Sequence, residues 1–574
     1  MKRLRNMIRK TAGISLSAAI AVSMLPVQVF ASIEYDSGVN DYGDKVNERV
    51  EVDADYNDVT VTGGDIDAQD KWPIDALCIN ASEGHTATVT TGNITKEDGR
   101  GITVNNYPDT EEGTGGTTML TVNGDVNASG NVSVGYSQTM GQGETSTEIN
   151  GNVSAGWRGV YSRSRSGESD LTVNGDVTAE YGIEAETYDD AVSDITVNGN
   201  VNAEKTGVEA HAGDDALLDV TIEGNVNGGK QGVISWAYNK AEIGIEVNRN
   251  VDGSVVGVAG QACGGSDIDI KVKGDITSDE YGIYAEPFID EDEGEGFGTV
   301  SVLAEGTVTG GKVGVLLHED ADSRKNVTVT AWKITPNKDG MVAGYEKEDD
   351  ETETIYEDED FEKNNINYII RVEQPESGAT LAASGDTAHE GENVTLRIDL
   401  DQNYVITGAF SDEGKSVPLL TDAEGNYYVV VPRGGGVLLS VTVGEKPAPQ
   451  PAPQPAEEDD DNDVQAPETV NSNIGNVAEN SVVVSSPENL DQTIRSVPQG
   501  GTVSVVLTEG TGLSNTVIAA LSGRSDVTLD IIFVYNGLTY RAIIPAGFNL
   551  APFLNAAGGI DFETLAVHFG TIMQ

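Results

Sequence analysis

The chain has 574 residues and a formal charge of −60, with 94 acidic side chains against 34 basic ones. That balance excludes nucleic acid and anionic lipid as default partners, because both would be repelled. With 68 glycines and only 6% aromatics, the composition suits short strands and tight turns, and the length allows roughly three or four domains.

Lys2, Arg3, Arg5, Arg9 and Lys10 precede an apolar stretch over 12–25 that stops at Pro26. Val29-Phe30-Ala31 then supplies a small-x-small cleavage pattern. Residues 1–31 read as a secretory signal peptide, so a secreted, extracellular or cell-surface location is expected. The apolar run is short for a membrane span, and none is expected after signal cleavage. Cys78 and Cys263 fall about seven coils apart in the repeat described next, on the order of 30 Å at about 4.8 Å per coil. That is far beyond disulfide reach, so both are expected as buried or semi-buried free thiols.

A repeat dominates residues 55–332. The phrase Thr-Val-Asn-Gly-Asp-Val stands at Thr121–Val126 and again at Thr172–Val177, with close relatives at Thr196–Val201 and Thr221–Val226. Its glycine recurs at 124, 151, 175, 199, 224, 274 and 306, mostly at intervals of 24 or 25 residues. Gly64 and Gly92 extend the series backwards, giving about ten coils. A second glycine, followed by Val or Ile, keeps a constant offset at 159, 182, 207, 232, 257, 282 and 314. Two markers in phase over many periods identify a solenoid, in which each unit buries its apolar face against the next.

One coil, Leu171–Asp194, shows the logic. Leu171 and Val173 share one face, Asn174-Gly175 turns with a glycine that tolerates positive φ, and Val177 and Ala179 form a second inward pair. Tyr181-Gly182 turns again, Ile183 and Ala185 form the third inward pair, and residues 186–194 loop back. Three strands in about 25 residues suit a right-handed parallel β-helix; left-handed hexapeptide solenoids use about 18 residues per coil. The expected fold class is all-β: this helix over 32–340, then a small β module, a Pro-rich acidic linker and a small α+β C-terminal domain.

The coil length and the Asn-Gly turn resemble the pectate-lyase-like β-helix superfamily, especially surface proteins of Firmicutes type. The resemblance implies the fold and is nearly silent on activity, because that superfamily holds lyases, hydrolases and adhesins. Asn123, Asn150, Asn174, Asn198 and Asn248 are expected to stack as an asparagine ladder, interrupted by Glu223, Lys273 and Glu305.

Coil length varies mostly after the third strand, so loops should crowd one edge, where binding usually resides. One position there stacks up the column as Arg163, Glu186, His211, Trp236, Gln261, Glu286 and His318, and Tyr188 and Tyr238 lie beside it. Aromatic faces next to carboxylates and amides suit sugar recognition. The candidate ligand-binding residues are therefore Arg163, Glu186, Tyr188, His211, Trp236, Tyr238, Glu286 and His318. Asp189, Asp190, Asp214 and Asp215 form stacked acidic pairs in successive loops and are the candidate metal residues. No cofactor is expected, with Ca²⁺ the one ion such pairs would suit.

Residues 341–365 include an acidic run and read as a solvated connector. Residues 366–444 form a different β module. Its Glu390-Gly391-Glu392 before a strand and Val431-Pro432 near the last one resemble the bacterial repeat domain related to internalin-type B repeats, though that family commonly carries Met before the proline. The resemblance implies a small β-grasp-like or sandwich module without catalysis. Residues 445–480, with alternating prolines over Pro447–Pro455 and acids over Glu457–Asp463, form a stiff or disordered linker. In 481–574, Ser514 should cap a helix ending at Gly523, and Asn536-Gly537 should join two strands of a hairpin.

No nucleophile, zinc or phosphate-loop motif is present, and no catalytic residue is assigned. The leading expectation is an adhesion or carbohydrate-recognition protein whose partner is a glycan or a host or bacterial surface ligand. The alternatives are a polysaccharide lyase or glycoside hydrolase and a structural surface component without a specific ligand.

Overall fold

The computed structural model describes residues 32–572 apart from 70–74, 107–114, 129–135, 140–142, 290–295, 319, 347–353, 412–418, 423–424, 447–480, 485–489, 508–511, 536–537, 549, 551–552, 555–558 and 561. The expected signal peptide and most of the expected linker lie outside the described residues. The chain divides into two compact units, Met1–Gln450 and Pro451–Gln574.

The first unit is a parallel β-solenoid with three strands per coil, as the repeat requires. First strands stack from Gly38–Asp41 on Val59–Thr62 up to Ile366–Ile369 on Val327–Thr335. Third strands stack from Ser32–Tyr35 on Arg49–Ala54 up to Ala343–Glu346. Second strands stack between them, as Val201, Asn202 and Ala203 do on Val226, Asn227 and Gly228. The six inward residues read from one coil, Leu171, Val173, Val177, Ala179, Ile183 and Ala185, are all at most 5% exposed. Each such aliphatic side chain contributes roughly 1.5–3 kcal/mol when fully buried. Cys78 and Cys263 are buried free thiols, and burial pushes the Cys78 thiol up to about 11.

The solenoid has more coils than the ten expected. Its first described strand is Ser32–Tyr35, where the phrase is unrecognisable, and its ladder continues beyond Trp332 into the segment read as a solvated connector. There Ala343–Glu346 joins the third-strand ladder, Ile355–Glu357 pairs antiparallel with it, and the helix Glu359–Asn364 follows. Phe361 and Glu362 on that helix are buried at 3% and 1% exposure. Glu362 accepts from the backbone N–H of Val342 and Ala343, at 3.1 and 2.9 Å, and from Arg433 Nε at 2.9 Å. The buried Glu362 carboxylate is thus fully paired, which offsets the cost of its desolvation.

The β module lies on this end of the solenoid. It has a three-stranded sheet of 371–373, 438–445 and 404–410, and a four-stranded sheet of 379–383, 393–400, 427–430 and 420–421. Its Leu381, Val394, Leu396, Val431 and Leu439 belong to the same apolar cluster as the solenoid bore. Ile334 donates its backbone N–H to Gly434 at 2.8 Å, and the Arg371 guanidinium sits 4.0 Å from the Trp332 ring.

The two marker glycines serve close approach, not positive φ, since none of them falls in the left-handed region. A Cβ on Gly257 would lie 2.5 Å from Ile276 Cγ2 and 2.7 Å from Gly282 O in the next coil. A Cβ on Gly199 would lie 2.5 Å from both Gly175 O and Asp176 Oδ1.

The asparagine ladder also differs from expectation. Asn174 donates to Asn150 at 2.8 Å and Asn198 to Asn174 at 2.6 Å, but these contacts are exposed. The longer ladder uses the residue after the marker glycine. Asp65, Asn93, Asp125, Asn152, Asp176, Asn200, Asn225, Asn250 and Asp275 each accept, through Oδ1, the backbone N–H one coil on, at 2.6–3.2 Å. No two neighbours in that series are both carboxylates, so like charges never stand one rung apart.

The second unit pairs Ser481–Val484, Thr502–Leu507 and Thr528–Tyr535 in parallel, then Leu538–Ile544 and Gly570–Ile572 antiparallel. The helix Asn515–Ser522 is capped by Ser514 and ends at Gly523, as expected. The two hairpin strands also form, and their turn lies outside the described residues.

Gly257→Ala should lower stability by about 1–3 kcal/mol, the usual cost of overpacking. Gly244→Ala should cost far less, because its Cβ meets only the tip of the Asp219 side chain. Thermal melts of the two variants check this contrast. Asn200→Asp places a carboxylate next to Asp176 and removes the Nδ2 donor at 3.1 Å. It should destabilise by about 1 kcal/mol or more at neutral pH, with recovery as pH falls to about 4.

Candidate functional site

The column read from the sequence exists as a register. Arg163 stands opposite Glu186, Glu186 opposite His211, His211 opposite Trp236, Trp236 opposite Gln261 and Gln261 opposite Glu286. His318 follows, with Nε2 3.7 Å from Glu286 Oε1. Where loops were expected, Arg163 to Glu286 lie on the outer face of the third strands, such as Arg158–Arg165, Val177–Tyr188, Val201–Gly213 and Gln231–Tyr238, and His318 follows the end of its strand at Leu317. The strands continue past the last aliphatic pair because their inward positions are still filled. Ser164, Thr187, Ala212 and Ala237 point into the bore and are buried, but such small or hydroxyl side chains carry no hydrophobic alternation.

The supposed return loops shrink to tight turns. Asp189 and Asp190 have φ of 57° and 63°, Asp214 and Asp215 59° and 60°, and the stacked equivalents are Asn239-Lys240 and Gly264-Gly265. Two consecutive left-handed residues favour Asn, Asp and Gly. Turn geometry therefore accounts for the acidic pairs offered as metal residues. Asp214 Oδ1 accepts from Asn239 Nδ2 at 3.0 Å. Among the described residues, no group of three or more His, Cys, Asp or Glu side chains is placed to hold a metal ion.

The outer face is a chain of paired groups around two aromatic contacts. His211 stacks on Trp236 with ring centroids 4.5 Å apart. Tyr238 lies over Gly213, whose missing side chain lets it reach Tyr188 two coils below, at 6.2 Å. Arg163 and Arg165 stand 5.8 and 5.5 Å from the Tyr188 ring. Arg163 pairs with Glu186 at 3.3 Å. Trp236 Nε1 donates to Gln261, Gln261 Nε2 donates to Glu286, and Tyr284 OH donates to Glu286 at 2.5 Å. Burial pushes the Tyr188 and Tyr284 phenols upward, so both stay neutral donors.

A second outward column, two residues earlier on each strand, was missed. Tyr161, Glu184, Glu209, Ile234, Ala259 and Tyr284 stand opposite one another in successive coils. Carrying the outward alternation two residues back from the first column would have found them. Ile234 and Ala259 are covered by Trp236, Tyr281 and Tyr284. Glu184 is 8% exposed and pairs with Arg158, which also lies over Trp157 and Tyr161 at 4.1 and 4.6 Å. Glu209 Oε1 lies 3.1 Å from His211 Nε2. Burial pushes Glu184 up to about 7; Glu209 and Glu186 add to the rise, and Arg158 and His211 oppose it.

A separate open groove of 430 Å³ lies at the capped end, lined by Arg324, Tyr345, Glu357, Asp358, Glu359 and Asp360. Arg324 is held there by Asp358 at 2.7 Å and lies over Tyr345 at 4.4 Å. None of the candidate ligand-binding or metal residues lines it; Glu357, Asp358, Glu359 and Asp360 come from the acidic run. Among the described residues, no helix is long and apolar enough to cross a membrane. Comparison with protein-family models, with curated proteins and with solved structures gives no match.

A carboxyl whose folded pKa lies above its unfolded value binds its proton more tightly when folded. The resulting penalty is absent below about 4.5, grows between about 4.5 and 7, and is complete above that. Glu184→Gln should remove it. The melting temperature of the variant, relative to the parent, should therefore rise between about pH 5 and about pH 8, as measured by thermal melts across that range.

Proposed function

We propose that the protein is secreted or displayed at a cell surface and recognises carbohydrate through the outer face of its third strands. The observation that carries this reading is the stacked His211–Trp236 pair, 4.5 Å between centroids, set in register between Glu186 and Gln261. Aromatic faces pack against the C–H faces of sugars, and neighbouring carboxylates and amides accept and donate to the hydroxyls. Tyr188 and Tyr238 extend the face toward the turns, and Glu286 and His318 extend it along the solenoid. The net charge of −60 keeps such a surface protein soluble. The resemblance of the 366–444 segment to internalin-type B repeats agrees with a spacer or attachment role for that module.

A glycan array probed with the full chain tests the reading. Binding to a defined set of glycans is expected, with Trp236→Ala weakening it by about tenfold or more, as for a stacked aromatic anchor. An array with no bound glycan, or binding unchanged in Trp236→Ala, overturns it. Release of new reducing ends or unsaturated uronates from a bound glycan would instead favour a polysaccharide lyase or glycoside hydrolase.

A further inference from the structure

Glu184 and Glu209 stand directly opposite each other in adjacent coils, on the outer face. Parallel rungs lie about 4.8 Å apart, so two ionised carboxylates in such positions repel unless cations intervene. The groups that face Glu184 are few. Arg158 and Tyr161 approach from the coil below, Glu186 shares its strand, and Glu209 and His211 approach from the coil above. Three carboxylates thus meet two guanidiniums, Arg158 and Arg163, and one imidazole. Glu186 draws its cation from Arg163, at 3.3 Å. Arg158 serves Glu184, and the partner of Glu209 is the His211 ring, with Nε2 3.1 Å from Glu209 Oε1. His211 is also the ring stacked on Trp236.

We propose that a proton taken up by the Glu184–Glu209–His211 cluster changes the state of the Trp236 face, so that ligand binding there depends on pH across neutrality. The ligand-binding half rests on the carbohydrate reading above; the effect on Trp236 does not. With the proton bound, the Glu184–Glu209 repulsion is relieved and the His211 ring beside Trp236 feels less negative charge. With the proton lost, the carboxylates of Glu184 and Glu209 face each other in adjacent coils, with Arg158 beside the first and the His211 ring beside the second. Glu184 is also nearly buried, so its ionisation falls within the physiological window instead of far below it.

Labelling the full chain with 5-fluorotryptophan gives four resonances, one for each tryptophan, and the one missing from Trp236→Phe is assigned to Trp236. Its ¹⁹F shift should move with a midpoint near neutral pH. The transition should be lost or displaced by about a unit or more in Glu184→Gln and in Glu209→Gln. It should persist in Glu286→Gln, which lies two coils further on. A Trp236 resonance that stays constant between about pH 5 and about pH 9, or one that titrates identically in Glu184→Gln, overturns the proposal. For a glycan bound on the array, affinity should change by about fivefold or more between about pH 6 and about pH 8, and by less in Glu184→Gln. A flat affinity profile overturns the regulation and leaves carbohydrate binding standing. A ¹⁹F transition without any bound glycan overturns carbohydrate binding and leaves the proton-linked change in Trp236 standing.

Discussion

Rungs about 4.8 Å apart leave no space for a side chain where two corner backbones meet. Most of this chain follows from that limit. At the two marker corners a glycine gives way to a neighbouring rung: Gly257 to Gly282 O and Ile276 above, Gly199 to Gly175 O and Asp176 below. The same corner leaves a backbone N–H with no strand to pair it, and an intramolecular hydrogen bond there contributes about 0.5–1.5 kcal/mol. The Asp or Asn after the marker glycine supplies the acceptor one rung on. Asn and Asp serve equally as acceptors, but only Asn can also donate to the residue below. Interleaving the two types, from Asp65 to Asp275, therefore satisfies the N–H groups without stacking carboxylates.

A stack that repeats must still end. Unpaired rungs expose strand edges, which invite further strands. At the N-terminal end Tyr42 folds back over Gly63, and its hydroxyl donates to Gly64 O at 2.9 Å. At the other end the chain departs from the repeat. A short helix brings Phe361 and Glu362 against the last rungs, and Arg433 from the β module reaches Glu362 through Nε and Nη2 at 2.9 and 2.7 Å. Continuity of one apolar cluster from Val50 to Val441 makes this module part of the solenoid's closure as well as whatever it does beyond it.

The solenoid was legible because its period is enforced twice, by both glycines, and because Val and Ile fill the inward positions between them. What was not legible has specific causes. The first rungs lack the phrase, since Asp41-Tyr42-Gly43 turns there with a positive-φ glycine. The rungs after Trp332 lack it because helix and module residues replace it. The outward column was read correctly as a register, yet placed on loops, because Ser162, Ser164 and Thr187 fill the bore without being apolar. The acidic pairs occupy tight turns because Asp tolerates the left-handed φ both positions adopt, and φ is not written in a single sequence. Glu362 was hidden for the opposite reason: its partners Val342, Ala343 and Arg433 come from distant parts of the chain.

A sheet face recognises ligands under different terms from a loop edge. Ladder pairing above and below fixes each third strand, so the groups at His211 and Trp236 are ordered before any ligand arrives. Little conformational entropy remains to be lost on binding, which favours affinity from modest contacts. The same rigidity removes the freedom to adjust. A strand cannot move its carboxylates apart, so Glu184 and Glu209 must resolve their proximity by pairing or by protonation. Loops would have relaxed instead. The chemistry of this face near neutral pH is thus a consequence of the stacking limit that set the glycines and the polar ladder.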